Sequence, residues 1–307
     1  MILAEVVRSG FVESRHHGSV VVLDAAGQIR DSAGDVVGPM FPRSSNKPLQ
    51  TVGMVRAGLR PADPADLALI SGSHYGEPFH VRRVRAMLRS AGLEAAALKC
   101  PADLPLSAPE RNAVLRAGGE PAPILMNCSG KHAGMLVTCV ANGWSLGDYL
   151  DPKHPLQVAL AAAVADLTGE PIAATGVDGC GAPVFAFSLT ALARAFLRLV
   201  DAAPGTPERL VADEMRAHPE LVAGTGADDT RLMQDVPGLL AKGGAEAVVA
   251  VAVPGIGAVA IKIGDGGKRA RTPVLLSALG KLGVPAPVMT EPVLGGGENV
   301  GEVRAAW

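Results

Sequence analysis

Between Gly18 and Asp31 the chain reads GSVVVLDAAGQIRD, a β-branched run that breaks at Asp24–Gly27 and resumes, which predicts a β-hairpin near the N-terminus. After Pro48 the pattern changes period: LQTVGMVRAG carries Leu49, Val52 and Val55 at helical spacing with little charge, so this helix is expected to be buried on most sides. Further helices are predicted at His80–Ala91, where Val81, Val84 and Leu88 oppose a set of arginines, and at Leu156–Leu167, Leu189–Val200 and Pro207–Ala217. From Glu246 the strand pattern returns in AVVAVAVPGIGAVAIKIGDG, two apolar β-rich runs around a Pro-Gly turn. Strands, then helices, then strands predict an α+β fold in which N- and C-terminal strands share a sheet. There is no fixed repeat and no low-complexity linker. A soft boundary stands at Asp151, where DPKHP punctuates the chain, but one unit spanning residues 1–307 is the expected organisation.

Composition narrows the function classes. The 307 residues are 48% hydrophobic and 19% charged, enough to bury a large core. A formal net charge of −2 and a pI near 6.4 give no electrostatic footprint for nucleic acid or an anionic membrane. The longest nearly uncharged run, Ala247–Ile261, is broken by Pro254, Gly255 and Gly257 and predicts no transmembrane helix; with no leader pattern at the start, the chain is expected in the cytoplasm. Cys100, Cys128, Cys139 and Cys180 are too few and too scattered for a disulfide scaffold, which leaves free thiols or metal ligands.

Four clusters carry candidate chemistry. In PRSSNKPLQ, Ser44 and Lys47 stand at i and i+3, one face of a helix, where an amine can take a serine proton and the helix N-terminus favours developing negative charge. The alternative is a capping Ser44 or Ser45 and a solvated Lys47, and S-x-x-K alone is weak. SGSHYGE, Ser71 to Glu77, reads as a site loop or as a Gly-rich turn capped by Ser73. NCSGKH, paired with GVDGCGAP, offers Cys128 and Cys180 as a soft zinc pair, with His132, a carboxylate or a neutral lysine as third ligand; the usual zinc spacings are missing, and inert buried thiols fit as well. Lys262, alone among apolar residues in AVAIKIGDG, either snorkels at an edge or enters a site. Two motifs fail: SGKH lacks the first glycine of a phosphate loop and has His132 at the magnesium position, and no helix pattern follows GIGAVA.

Taken together, the blocks around Glu13 to Gly18, PRSSNKPLQ, GSHYGE, NCSGKHAGML, GVDGCGAP, GTGADDT, AKGGAEAV and AIKIGDG resemble, in order and over almost the whole chain, the bacterial L-asparaginase II family of the Rhizobium inducible type. The resemblance implies a serine β-lactamase-like fold, a mixed sheet flanked by helices with a helical subregion, usually as a homodimer. It implies hydrolysis of L-asparagine to L-aspartate and ammonia through an acyl-enzyme. Ser44 would attack with Lys47 as base, while Ser73 and Lys262 relay the proton; in the alternative, Ser73 attacks with Lys262 as base. By the same resemblance Cys128, Lys131 and Cys180 hold a zinc that assists substrate positioning, and Arg43, His132 and Asp178 adjoin the substrate. Departures are small: Ser45 and Asn46 in the gap, Tyr75, Gly181, and Ala247 in place of a common glycine. The rival expectations are a glutaminase or β-lactam-type acyl transferase, and a silent sensor of asparagine or zinc.

Overall fold

The computed structural model describes residues 1–285 and 287–307. Strand β1 (Ile2–Arg8) turns into the long β2 (Phe11–Asp24), which is followed by β3 (Ile29–Ala33) and β4 (Pro39–Met40). A tight 3-10 turn, Arg43–Asn46, leads into α1 (Lys47–Arg56), then α2 (Asp66–Ile70), α3 (Pro78–Ser90), α4 (Ala108–Arg116), α5 (Ser129–Asn142) and α6 (Pro155–Thr168). The hairpin β5 (Ala174–Val177) and β6 (Pro183–Ser188) precedes α7 (Leu189–Asp201), α8 (Pro207–Ala217), α9 (Pro219–Val222) and α10 (Asp228–Asp235). The chain closes with β7 (Leu240–Gly243), β8 (Val248–Val253), β9 (Gly257–Ile263), α11 (Lys268–Lys281), β10 (Pro292–Gly295) and β11 (Glu298–Ala305).

The main sheet runs β10-β11-β1-β2-β9-β8-β7, with β3 also paired to β2, and a smaller sheet joins β4, β6 and β5. The expected sharing of N- and C-terminal strands holds, since β1 pairs with β11 through Val6↔Val303 and β2 with β9 through Val20↔Ile261. Where a mixed sheet was expected, every described pairing is antiparallel. The connections explain most of this: β1-β2, β2-β3, β5-β6, β7-β8, β8-β9 and β10-β11 are hairpins, and a hairpin joins only antiparallel neighbours. The Asp24 carboxylate accepts from the N–H groups of Ala26 and Gln28, both at 2.9 Å, and Gly27 takes φ 75°, which sets the first predicted turn.

β8 is buried at every position and β9 at all but Lys262, so both faces of this part of the sheet are covered; α7 and α11 pack on it. α1 is buried from Lys47 to Val55, as its uncharged pattern predicts. Gly53 lets it approach α6 closely, because a Cβ there would lie 2.9 Å from a Leu160 methyl. DPKHP leads into α6, with His154 Nδ1 accepting from Leu156 N at 3.1 Å. Among the described residues no helix is long and apolar enough to cross a membrane. The turn before α1 packs against β7 and β8, so Ser44 sits where the sheet edge meets the helical subregion.

Candidate active site

Ser44 is not the N-cap of α1. Pro48 has no N–H to return to the Ser44 carbonyl in α-helical register, so the turn before it tightens and Lys47 N bonds Ser44 O instead. Ser45 fastens the turn, its Oγ donating to Pro42 O at 2.6 Å. Arg43 adopts φ 53°, a left-handed conformation unusual outside glycine, directly before the serine.

Lys47 is 1% exposed, and its amine donates to the Gly72 carbonyl and, at 3.1 Å, to Ser73 Oγ. Ser73 therefore does not cap a turn; it is the partly exposed end of a serine-lysine contact whose lysine is buried. The loop that carries it is held from several sides. Ser73 N bonds Val222 O at 2.8 Å, and Ser71 Oγ bonds Thr51 Oγ1 at 2.8 Å. His74 is wholly buried: Nδ1 accepts from Gly76 N at 3.2 Å, so Nε2 carries the proton and donates to Ser129 Oγ at 2.8 Å. Burial, with the charges of His80 and Lys47 adding to it, pushes its pKa well down and keeps the ring neutral. Glu77 clamps the neighbouring loop, accepting from Thr225 N at 2.8 Å and Thr225 Oγ1 at 2.7 Å.

Ser44 and Ser73 line one cavity of about 290 Å3, together with Tyr75, Asn127, Asp228, Asp229, Lys242 and Arg271. Lys242, on the edge strand β7, is 1% exposed. Burial drives its amine down to about 8; Asp229, with Oδ2 at 3.7 Å, opposes this, and Lys47 and Arg271 reinforce it. Asp229 is buried too: burial would raise its carboxyl, but Lys242, Arg271 and the Gly243 N–H at 2.6 Å prevail and hold it below the usual range. The sequence reading missed this network. Its signals were a single lysine in the apolar LLAKGG and the adjacent acids of GADDT.

Gly244 joins the sheet edge to the serine turn. A Cβ on it would lie 2.8 Å from Pro42 O, closer than backbone tolerates, and a tight 3.2 Å from Ser44 N. The N–H groups of Ser44 and Ala245 both belong to cavity-lining residues, and neither has an acceptor among the described residues. Two free donors beside a serine hydroxyl are what a developing oxyanion requires. Gly244→Ala must push these donors apart, so kcat is expected to fall by about tenfold to a hundredfold with the fold retained; steady-state kinetics at wild-type rates would remove Gly244 from this role.

The other sequence-predicted residues fall differently. Lys262 does not line the cavity: Nζ donates to Glu246 O at 2.7 Å and Ile263 O at 3.1 Å. Its strand lies two in from β7, so its amine secures the turn after β7, in which Glu246 and Ala247 hold φ 59° and 49°. The second of these angles shows why a glycine would sit more easily at Ala247. Arg43 and Asp178 meet each other, Nε to Oδ1 at 2.7 Å, and do not line the cavity. His132 is fully buried and does not line the cavity, with Nδ1 2.7 Å from Tyr149 OH.

Cys128, Lys131 and Cys180 converge. Lys131 Nζ lies 3.3 Å from Cys180 Sγ, and all three side chains are buried. Cys128 Sγ donates to Asn127 Oδ1 at 3.1 Å; the neighbouring Cys128, with Lys131 and His132 adding to it, holds Cys180 below an ordinary thiol against the effect of burial. The neighbouring Cys180 and burial push Cys128 up. Burial works against the Lys131 ammonium, but the charges of Cys180, Cys128 and Asp178 outweigh it and raise its pKa. Of the two sulfurs, Cys180 is thus the one whose thiolate its surroundings favour. Among the described residues no three His, Cys, Asp or Glu side chains gather as a metal site, so a metal here needs the lysine nitrogen.

Among solved structures, a Bacillus glutaminase crystallised in 4.3 M NaCl is 12% identical, with a TM-score of 0.49 over 87% of this chain and 91% of its own. Mglu in its native form is 13% identical with a TM-score of 0.45 over 90% of this chain, which spans 66% of that protein's length. Among curated proteins, none matches the sequence. The family model for L-asparaginase II matches residues 4–305, nearly the whole of the fold described above, and the chain belongs to the L-asparaginase II family.

Proposed function

We propose that this protein is an amidohydrolase that converts L-asparagine to L-aspartate and ammonia through an acyl-enzyme. The observation that carries the reading is the buried Lys47 amine 3.1 Å from the Oγ of Ser73, a residue that lines one cavity with Ser44. Ser44 Oγ attacks the side-chain carbonyl, its proton passing to Lys47, and the oxyanion is held by the N–H groups of Ser44 and Ala245. The C–N bond breaks as ammonia leaves with a proton relayed through Ser73. Water then attacks the ester, releasing aspartate and returning a proton to Ser44. Lys242, in place of Lys262, is the second amine of the relay. A cavity of about 290 Å3 stands at the small end of ligand sites, which run from about 300 to 1,000 Å3, and this supports a free amino acid over a β-lactam. A second reading has Ser73 as nucleophile, favoured by the fact that Lys47 bonds Ser73 and no bond joins it to Ser44 among the described residues.

The thiol cluster fits zinc: two sulfurs and an amine nitrogen, buried and mutually close, are a soft donor set of the right kind. Cys128, Lys131 and Cys180 would hold the ion, which supplies a localised positive charge one residue from Asn127 of the cavity wall. Binding must displace the protons of Cys128 and Lys131, so affinity should rise with pH.

Ammonia release from L-asparagine, L-glutamine and a chromogenic cephalosporin, with and without a chelator, tests the reading. Asparagine is expected to turn over fastest, and zinc removal to raise KM with little change in kcat. A folded protein that releases no ammonia from either amino acid, while asparagine still raises its melting temperature, would be a sensor and not an enzyme.

A further inference from the structure

A free amino acid carries an ammonium and a carboxylate, and a site that selects it over a plain amide must offer an acceptor to one and a cation to the other. Arg43 and Asp178 are poor providers, because each already satisfies the other. The charged side chains that do line the cavity are mostly engaged as well. Asp229 accepts from Gly243 N and lies between Lys242 at 3.7 Å and Arg271 at 3.9 Å. Glu246 faces Arg43 at 3.8 Å.

Two groups are left over. Asp228 has one oxygen fixed, Oδ2 accepting from Arg271 Nη2 at 3.2 Å and Thr272 Oγ1 at 3.0 Å, so the carboxylate is oriented while Oδ1 has no partner among the described residues. Lys268 has no ion pair or side-chain hydrogen bond among the described residues, and it lines the same cavity from the first position of α11. We infer that Asp228 binds the α-ammonium and Lys268 the α-carboxylate of the amino-acid substrate, an inference that rests on the amidohydrolase reading above. Asp228 opens α10 and Lys268 opens α11, and Arg271, one turn into α11, ties the two elements together through Asp228.

Truncated amides separate this role from a structural one. Succinamate lacks the ammonium and 3-aminopropanamide lacks the carboxylate. Asp228→Asn keeps size and the Thr272 contact; it is expected to raise KM for L-asparagine at least about tenfold with little change in kcat, and to leave succinamate hydrolysis within about twofold of wild type. Lys268→Met should show the mirror pattern, a loss on L-asparagine that disappears with 3-aminopropanamide. Equal losses on full and truncated substrates, or no loss on L-asparagine, overturn the assignment. If the wild type releases no ammonia, the amidohydrolase reading fails on its own, and calorimetric binding of L-asparagine then decides the pair. Weaker binding to both variants supports it; unchanged binding, or none to the wild type, overturns it.

Discussion

Replacing Ser44 by alanine is expected to lower kcat for L-asparagine by at least about a thousandfold while the protein stays folded. The geometry makes this test unusually clean. Ser44 Oγ makes no hydrogen bond among the described residues and the side chain is partly exposed, so its loss should change stability by no more than about 0.5 kcal/mol. Ser73→Ala is a different experiment, because it removes the hydroxyl on which Lys47 rests and leaves the buried amine with the Gly72 carbonyl. Rapid-quench mass spectrometry of the intact protein distinguishes the two serines. An acyl adduct that accumulates in Ser73→Ala and is missing in Ser44→Ala makes Ser44 the nucleophile. The reverse pattern transfers that role to Ser73, and near-wild-type turnover by Ser44→Ala ends the proposal for that residue.

Which of these groups could be read in the chain depends on how local their cause is. The hairpin turns at Asp24–Gly27 and Pro254–Gly255 and the helices α6, α7 and α8 follow from side chains within a few residues, and they lie where periodicity placed them. α11 was invisible because Pro273 and the polar KRART opening mask its apolar face. The strand lysine shows the limit best. Alternation singles out Lys262 as the polar position in an apolar run, but alternation reports which face a residue takes and says nothing of which strand borders the cavity. That depends on sheet order, and the order puts β7, a strand of four residues carrying Lys242, at the edge beside Ser44. The pairing of Arg43 with Asp178 was illegible for a related reason. Each is a plausible substrate contact taken alone, and their mutual pairing across 135 residues has no local signal. The convergence of Cys128, Lys131 and Cys180 became legible through family resemblance, since the donors follow none of the spacings of ordinary zinc sites.

Lys242 gives the second large effect, and it is readable in two independent ways. With its amine pushed down to about 8, the proton leaves the folded protein within the working pH range. If the neutral amine is the form that works, kcat/KM should climb as pH rises and reach half its plateau near 8, and Lys242→Met should abolish that limb while reducing the rate by at least about a hundredfold. Stability supplies the other readout. The folded pKa lies below the ordinary lysine value of 10.5, so between about 8 and 10.5 the unfolded chain binds the proton and the folded chain does not. Wild-type stability should therefore rise with pH through that window, by roughly 3 kcal/mol from this group, whereas below pH 8 both states are protonated and the full cost of burying the ammonium is present. Methionine fills the same space without a charge, and Asp229 keeps the Gly243 N–H and Arg271. The variant should thus hold its advantage over wild type below pH 8 and lose it by pH 10.5 in chemical denaturation. Parallel stability curves would mean that the Lys242 amine titrates normally, and with that the case for it as a proton carrier at this site would be lost.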